Sequence, residues 1–265
     1  MTKKMKYKSV SKKEEEKIII HILETLLDNS IPFSGAHRHK QWEKGWGENL
    51  ESGDMLPRYF GKYPYQRLNG KFVKGIGKNY EVEMLYTIVD SLAKKYLSKA
   101  HDVYEFGCGT GHNLWRIKKV NPTAKLHGFD WAKSSQAIVR AMGFDGQNFD
   151  YFNPPAIKLE PNSAVYTVAS LEQTGTNYKK FVKYLLKNKP SVVVNIEPMP
   201  EFLDSTKLID YLSIKYMHKR NYLRGYPDYL EALEKQGKIK ILEKRRSGIG
   251  SLFIDGYSVI VWKPL

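Results

Sequence analysis

Cysteine is almost absent from this chain of 265 residues, in which Cys108 is the only one. A single cysteine excludes an intramolecular disulfide and a zinc site built on several cysteines, and it fits a reducing compartment. Long apolar runs are also missing, because the stretch 18–27 contains His21 and Glu24 and is too short to span a bilayer. No small-residue cleavage site follows it. The composition therefore predicts a soluble, cytoplasmic protein.

Arginine is scarce although the chain is strongly basic, with a formal net charge of +15. Of the 43 basic residues, 34 are lysine and 9 are arginine. Recognition of phosphates and bases favours arginine, whereas excess lysine is typical of genome composition and of a solvated surface. Residues 1–17 carry a net charge of +4 and residues 215–246 a net charge of +6. The second stretch favours attraction of a small anionic molecule over nucleic-acid binding.

Hydrophobic periodicity divides the chain into two parts. Residues 14–28 and 81–97 have apolar side chains at helical spacing, while 32–78 predict an irregular segment with short helices at best. From residue 100 onward, strand and helix patterns alternate, which indicates a parallel sheet. The predicted strands are 102–106, 125–130, 147–150, 164–170, 191–196, 238–244 and 257–263, with helices at 112–119, 133–141, 176–188, 202–218 and 226–236.

The chain's last two predicted strands are joined by a glycine-rich connection without a helix, which predicts an antiparallel hairpin. The expected fold class is therefore α/β, with a seven-stranded, mostly parallel sheet flanked by helices and ending in that hairpin. We expect residues 1–78 to form an N-terminal helix and a lid, and residues 79–265 to form the domain that carries the chemistry.

Three alternating glycines follow the first predicted strand of the sheet, at Gly107, Gly109 and Gly111. Glycine there allows a tight turn and a close approach of a ligand to the backbone. The dinucleotide pattern G-x-G-x-x-G fails at His112 or at Leu114, depending on where it starts, and a P-loop pattern is absent from the sequence. The loop therefore matches neither of these two nucleotide-binding patterns.

The stretch E-x-G-x-G-x-G that begins at Glu105 resembles the first motif of the class I S-adenosylmethionine (SAM) methyltransferases. The resemblance implies that Glu105 meets the ammonium end of the cofactor, directly or through water, and that the backbone amides after Gly107 face its amino-acid part. Asp130 ends the next strand 19 residues after Gly111 and is expected to accept the ribose hydroxyls. Trp131 would pack on the adenine, and Asp150 with its apolar neighbour Phe149 would lie near the adenine amine. The resemblance spans about residues 80–265 and implies a Rossmann-like fold, SAM as cofactor and S-adenosyl-L-homocysteine (SAH) as product.

Three residues are candidates for catalysis. Glu172 and Glu197 follow strands of the parallel sheet, at the edge where open α/β sheets bind ligands, and each could instead cap a loop or helix. His218 is the natural general base near neutral pH, with a satisfied surface histidine as the alternative. A metal site is not expected, because His37 and His39 lack carboxylate ligands at a recognisable spacing.

The acceptor is expected to contact residues from two stretches. Arg220 and Arg224 would share one face if their helix continues, and together they could hold a phosphate or a carboxylate. The lid aromatics could stack on sugar rings or simply pack on the sheet. The complete set of expected acceptor-binding residues is Gln173, Arg220, Asn221, Tyr222, Arg224, Trp42, Trp46 and Tyr63.

The stretches "EQTG", "IEP" and "KRNYL" resemble bacterial methyltransferases of small molecules, including those that modify sugars or surface-glycan precursors. The resemblance implies an O-methyltransferase with a small, polar, hydroxylated acceptor, which could be phosphorylated. An amino-methyltransferase of bases is not expected, because "NPPA" at 153–156 lies between the wrong strands and lacks the stacking aromatic. Two alternatives stay open: an RNA- or ribosome-linked methyltransferase, and a SAM-binding regulator without catalysis. The sequence leaves the oligomeric state open.

Overall fold

The computed structural model describes residues 5–77 and 79–265. The helices are α1 Lys12–Leu27, α2 His39–Ser52, α3 Tyr80–Leu92, α4 His112–Val120, α5 Lys133–Ala141, α6 Lys179–Asn188, α7 Leu208–Lys219 and α8 Tyr226–Lys235. The strands are β1 Tyr7–Ser9, β2 Tyr65–Leu68, β3 Lys71–Gly75, β4 Asp102–Phe106, β5 Lys125–Asp130, β6 Asp145–Asn148, β7 Ala164–Val168, β8 Val192–Glu197, β9 Ile239–Arg245, β10 Ile249–Gly250 and β11 Ser258–Pro264.

The main sheet has seven strands in the order β6-β5-β4-β7-β8-β11-β9. The neighbours from β6 to β8 pair in parallel, whereas β11 runs antiparallel to both β8 and β9. The predicted fold class and the terminal hairpin are therefore confirmed. The third predicted strand, 147–150, lies at Asp145–Asn148, two residues earlier than expected.

The centre of the sheet is buried on both faces, as a parallel sheet covered by helices requires. Every residue of β4, β7 and β8 is buried. Asn195 of β8 is polar, but its amide donates to the Thr167 hydroxyl, and its Oδ1 accepts from the Tyr226 hydroxyl and the Trp262 indole. Because all these groups are paired, the polar cluster is tolerated in the core.

A second sheet of four antiparallel strands, in the order β1-β3-β2-β10, forms much of the N-terminal part. The expectation of an irregular segment over 32–78 is wrong for α2 and for the hairpin β2–β3. Asn69 and Gly70 connect that hairpin with φ of 50° and 76°, the left-handed values of the Asn-Gly turn. The helical pattern of α2 was obscured by Gly45 and Gly47, which are unfavourable in a helix interior.

The N-terminal sheet is joined to the C-terminal part of the chain. Strand β10 pairs with β2, and the buried guanidinium of Arg67 donates to the carbonyls of Ile209, Leu252 and Phe253. The predicted boundary after residue 78 falls at Lys78, which lies outside the described residues.

Two predicted helices begin later in the structure than in the sequence pattern, at Lys179 and Leu208 instead of 176 and 202. Pro200 starts a short 3₁₀ turn, and the hydrogen bonds from Thr206 to Asp204 hold the chain out of the helix until α7 begins. Over residues 5–77 and 79–265, no helix combines the length and apolar character needed to cross a membrane.

Candidate active site

The loop after β4 is shaped by glycine. Gly107, Gly109 and Gly111 have φ of 68°, 53° and 69°, a region that other residues adopt only with strain. A Cβ at Gly107 would lie 2.4 Å from Cβ of Ser170, and a Cβ at Gly109 would lie 2.8 Å from the Trp46 ring. This loop forms the floor of a cavity whose space, counted with its open mouth, is about 680 Å³.

Asp130, at the carboxyl end of β5, lines this cavity as expected. Its carboxylate accepts hydrogen bonds from the backbone N–H groups of Gly109 at 3.0 Å and Ala132 at 2.9 Å. Burial raises the pKa of Asp130 to about 6, although the two amides favour the ionised form. The side chain therefore carries a negative charge at neutral pH and fixes the glycine loop.

Aromatic rings form one end of the cavity. Trp131, Phe149, Tyr151 and Phe152 line it, and the rings of Trp131 and Phe152 stack with centroids 6.0 Å apart. Asp150 is not among the lining residues, and its Oδ1 accepts the backbone N–H of Phe152 at 2.8 Å. The structure thus brings the expected Trp131 and Phe149 to the cavity, while Asp150 orders the turn that carries the rings.

Glu105 lies behind the cavity wall and is fully buried. Its carboxylate accepts from the Asn113 amide at 2.9 Å and from the Tyr166 hydroxyl at 2.8 Å. Burial raises the pKa of Glu105 to about 8. Asn113 does line the cavity, and among the described residues its buried Oδ1 has no hydrogen-bond partner. The sequence pattern gave no prediction for Asn113.

His112 is a second lining residue that sequence reasoning missed. One ring nitrogen, Nδ1, lies 3.0 Å from the Tyr86 hydroxyl, and burial lowers the pKa of His112 to about 4. The imidazole is therefore neutral at physiological pH. Its position directly after Gly111 was the available signal, since a residue adjoining a ligand loop faces the ligand.

Helix α2 covers the glycine loop. Its Glu43 carboxylate accepts the backbone N–H groups of Lys133 and Ser134 at the start of α5, at 2.6 Å and 3.0 Å. Trp42 and Trp46 of α2 stack on each other and line the cavity. Tyr63 lies elsewhere, packed edge-on against Phe253 with ring centroids 5.3 Å apart. The Trp46 ring therefore lies in close contact with the backbone at Gly109.

Glu197, at the end of β8, is completely buried and does not line the cavity. Its carboxylate accepts the backbone N–H groups of Ser170, Leu171 and Glu172 at 3.0–3.3 Å. Burial raises the pKa of Glu197 to about 7 against the effect of these bonds. This is the geometry of the loop cap that the sequence left open as an alternative.

Glu172 and Gln173 adjoin each other in the loop after β7. Gln173 lines the cavity, and its Oε1 accepts from the Ser34 hydroxyl at 2.9 Å and from Arg38 at 3.4 Å. Its amide donates to the buried Glu172 carboxylate at 2.8 Å. Burial, and then the nearby Glu197 charge, raise the pKa of Glu172 to about 8.

The stretch after α7 departs from the expected helix. Because α7 ends at Lys219, Arg220 and Arg224 do not share a helix face. Arg224 donates to Asn221 Oδ1 at 3.0 Å, while Arg220 lies over the rings of Tyr216 and Tyr222. His218 is exposed and lies outside the cavity lining. No cluster of metal ligands occurs among the residues that the structure describes.

No family model and no curated protein sequence matches the chain. Solved structures do match it, at low sequence identity. The [4+2]-cyclase SpnF is 14% identical, with a TM-score of 0.55 over 88% of this chain and 97% of that chain. The plantazolicin methyltransferase BpumL, solved with SAH, is 13% identical, with a TM-score of 0.50 over 94% and 98%. The N-methyltransferase NodS from Bradyrhizobium japonicum WM9, also solved with SAH, is 9% identical, with a TM-score of 0.51 over 83% and 98%.

The chain has the class I methyltransferase fold. It spans little more than half the length of two longer enzymes that it also matches, 56% of human N-acetylserotonin methyltransferase and 57% of the riboflavin-derivative dimethyltransferase RosA from Streptomyces davawensis. SpnF is a cyclase with the same fold, so the methyltransferase fold by itself does not fix the reaction. The reaction has to be argued from the residues of the cavity.

Proposed function

We propose that the chain is a SAM-dependent O-methyltransferase that acts on a small, polar, hydroxylated acceptor. The observation that carries this proposal is the cavity over the glycine loop, where the Asp130 carboxylate lines a floor of three glycines with positive φ and aromatic rings close one end. Hydrogen-bond acceptors and an aromatic end in one cavity match the hydroxyls, the ammonium group and the adenine of SAM.

The lining residues divide among the parts of that cofactor. Asp130 would accept hydrogen bonds from the ribose hydroxyls, and Asn113 Oδ1 would accept one from the ammonium group. Trp131, Phe149 and Phe152 would enclose the adenine, whose flat apolar faces suit aromatic neighbours. Glu105 would act through Asn113, whose amide it holds. When bound, SAM supplies a methyl group on a positively charged sulfur, and the chain's own residues do the rest.

The main task of these residues is alignment. Placing the acceptor oxygen in line with the methyl group and excluding water accounts for much of the rate of a displacement of this kind. For a hydroxyl acceptor we propose His112 as the proton acceptor, because its unprotonated ring lines the cavity. Its pKa of about 4 makes it a weak base, so alignment has to supply most of the rate. Glu172 is less suited as a base, because its pKa of about 8 leaves it mostly protonated at neutral pH. His218 and Glu197 are less suited, since one is exposed and the other binds three backbone amides.

We further propose a sugar or a surface-glycan precursor as the acceptor, in a bacterial cytoplasm, with residues 1–78 acting as helix and lid. The support is the resemblance of the short stretches named above and the position of α2 over the glycine loop. The test is incubation of the protein with labelled SAM and cell extract, followed by sorting of the label. Label in small metabolites or glycans supports the proposal, and label confined to RNA or protein contradicts it.

Binding of the cofactor has its own test. Asp130→Ala is expected to weaken SAM binding by at least about tenfold in calorimetry, because the ribose hydroxyls lose their acceptor. Asp145→Ala is the matched control, since that carboxylate accepts from His127 and Gln147 instead of lining the cavity. Melting curves without SAM check that both variants fold. An unchanged affinity in Asp130→Ala contradicts the assignment.

A further inference from the structure

Two arginines that are far apart in sequence meet beside the cavity. Arg38 belongs to a short 3₁₀ turn before α2, and Arg220 follows α7. The backbone N–H of Ser34 donates to the Arg220 carbonyl at 2.7 Å, and the Asn221 amide donates to the Ser34 carbonyl at 3.0 Å. These bonds fix the lid turn against the end of α7 and bring the two cations together.

Neither guanidinium has an acidic partner. Within residues 5–77 and 79–265, no carboxylate oxygen lies within the 4.0 Å of an ion pair from Arg38 or Arg220. Arg38 is only 6% exposed, and its bonds go to the amide oxygens of Gln41 and Gln173. Arg220 donates to the Tyr216 hydroxyl, and its Nε is buried without a partner. Each guanidinium has five N–H donors, so several are left over.

The local charge is positive. Burial, together with the like charge of Arg220, lowers the pKa of Arg38. The nearby acid is Glu172, and because burial raises its pKa to about 8 it is mostly protonated at neutral pH. Buried charges in proteins are normally paired, since an unpaired one costs several kcal/mol. Arg38 is buried and Arg220 is partly buried, and among the described residues neither has an ion-pair partner, which points to an anion that is part of the functional complex.

Aromatic rings hold the two guanidinium planes in place. The Arg38 guanidinium lies 5.3 Å from the Trp42 ring centroid, and that of Arg220 lies 5.3 Å from Tyr222 and 5.9 Å from Tyr216. Stacking on a face leaves the edges free, where the N–H groups form the fork that fits a carboxylate or a phosphate. The pair adjoins the cavity through Gln173 and Trp42, which both line it.

We propose that Arg38 and Arg220 form an anion site that binds a carboxylate or phosphate group of the acceptor beside the cavity. This inference rests on the proposed function, because it describes the acceptor of that same site. The sequence suggested Arg224 as the second arginine of such a site, and the proposal replaces it with Arg38. Arg224 contributes to the site indirectly, by donating to Asn221, which in turn holds the lid turn.

The test uses the full chain saturated with SAH and titrated with inorganic phosphate or with acetate, followed by calorimetry or NMR. We expect binding to the wild type, about tenfold weaker binding to Arg38→Gln or Arg220→Gln, and none to the double variant. The two probes distinguish a phosphate site from a carboxylate site. Arg245→Gln is the matched control, because Arg245 is exposed and pairs with Glu243.

Binding of SAH separates the two proposals. If SAH binds neither to the wild type nor to any of the variants, the proposed function fails. If SAH binds and the wild type takes up neither anion, or the double variant takes them up as well as the wild type, the anion site is overturned. Where the double variant does not fold, Arg38→Lys with Arg220→Lys keeps the charge without the fork, and phosphate should raise its melting temperature less than that of the wild type.

Discussion

Three buried carboxylates near the cavity differ in what they bind. Asp130 accepts two backbone amides, one from the glycine loop after β4 and one from the start of α5. Glu197 accepts three, all from the loop after β7. Glu172 accepts only the Gln173 amide, and its pKa is raised to about 8. The number of donors thus separates two carboxylates that organise loops from one that can hold or release a proton.

Glu172 should make stability depend on pH. Its pKa is about 8 in the folded chain against 4.5 for the ordinary group, so the folded state keeps a proton that the unfolded state loses. The contribution of Glu172 to the free energy of unfolding is therefore fully present below pH 4.5, and it is lost as the pH rises toward 8. The Glu172→Gln variant has no titrating group at this position. In urea unfolding, its free energy of unfolding should therefore rise relative to that of the wild type as the pH increases across this range. The exposed Glu160→Gln should show no gain.

His112 and His218 should differ in their effect on turnover. His112→Asn is expected to lower kcat by about 100-fold with little change in SAM affinity, because a cavity-lining proton acceptor is lost. His218→Asn should leave kcat nearly unchanged, since that ring is exposed and outside the lining. Steady-state kinetics on the identified acceptor measure both. A larger loss of kcat in His218→Asn than in His112→Asn would instead assign the role of proton acceptor to His218.

At the scale of elements, the contact between α2 and α5 controls the cavity. Helix α5 begins without a side-chain cap of its own, and Glu43 of α2 supplies two acceptors to its first backbone amides. A carboxylate at a helix N-terminus is stabilised by the helix dipole as well as by these bonds. The same helix carries Trp46 over Gly109. If α2 acts as the proposed lid, we expect its opening to break the two Glu43 hydrogen bonds.

Loss of this contact should speed exchange of the cofactor. Glu43→Ala removes the two amide acceptors, so we expect SAM to dissociate about tenfold faster, as measured by stopped-flow fluorescence of the lid tryptophans. Glu51→Ala, an exposed residue on the same helix, serves as the control. Identical dissociation rates in the two variants would show that α2 does not gate the cavity.

At the scale of the whole molecule, the two sheets are held together by buried polar contacts. Arg67 of β2 donates to three carbonyls of the C-terminal part, and nearby Arg246 pairs with Asp210 and Asp255. Strand β10 adds backbone pairing with β2. Because these contacts connect residues near both ends of the chain, we expect the N-terminal part and the main sheet to unfold together.

Arg67 should contribute far more to the free energy of unfolding than an exposed arginine does. Arg67→Met leaves three buried carbonyls without a donor, which is expected to lower the free energy of unfolding by about 3 kcal/mol. Arg58→Met breaks only the exposed pair with Glu48 and should cost less than about 1 kcal/mol. Chemical denaturation monitored by fluorescence and circular dichroism measures both. Two separate transitions in the wild type would contradict cooperative unfolding.

The sequence by itself determined the alternation of strands and helices, the terminal hairpin, and the position of Asp130 beside the glycine loop. These features follow from local periodicity and from a backbone conformation that only glycine adopts readily, so they can be read along the chain. The Asn-Gly turn of the N-terminal hairpin was equally local and was missed.

Tertiary structure alone decided which side chains meet. Arg38 and Arg220 come together because the lid turn is hydrogen-bonded to the end of α7, and nothing in the local pattern of either segment indicates the other. In the same way Glu197 binds the loop after β7, and Tyr63 packs on Phe253 away from the cavity. Such contacts depend on the packing of distant elements, where burial and hydrogen-bond satisfaction over the whole fold select the partner.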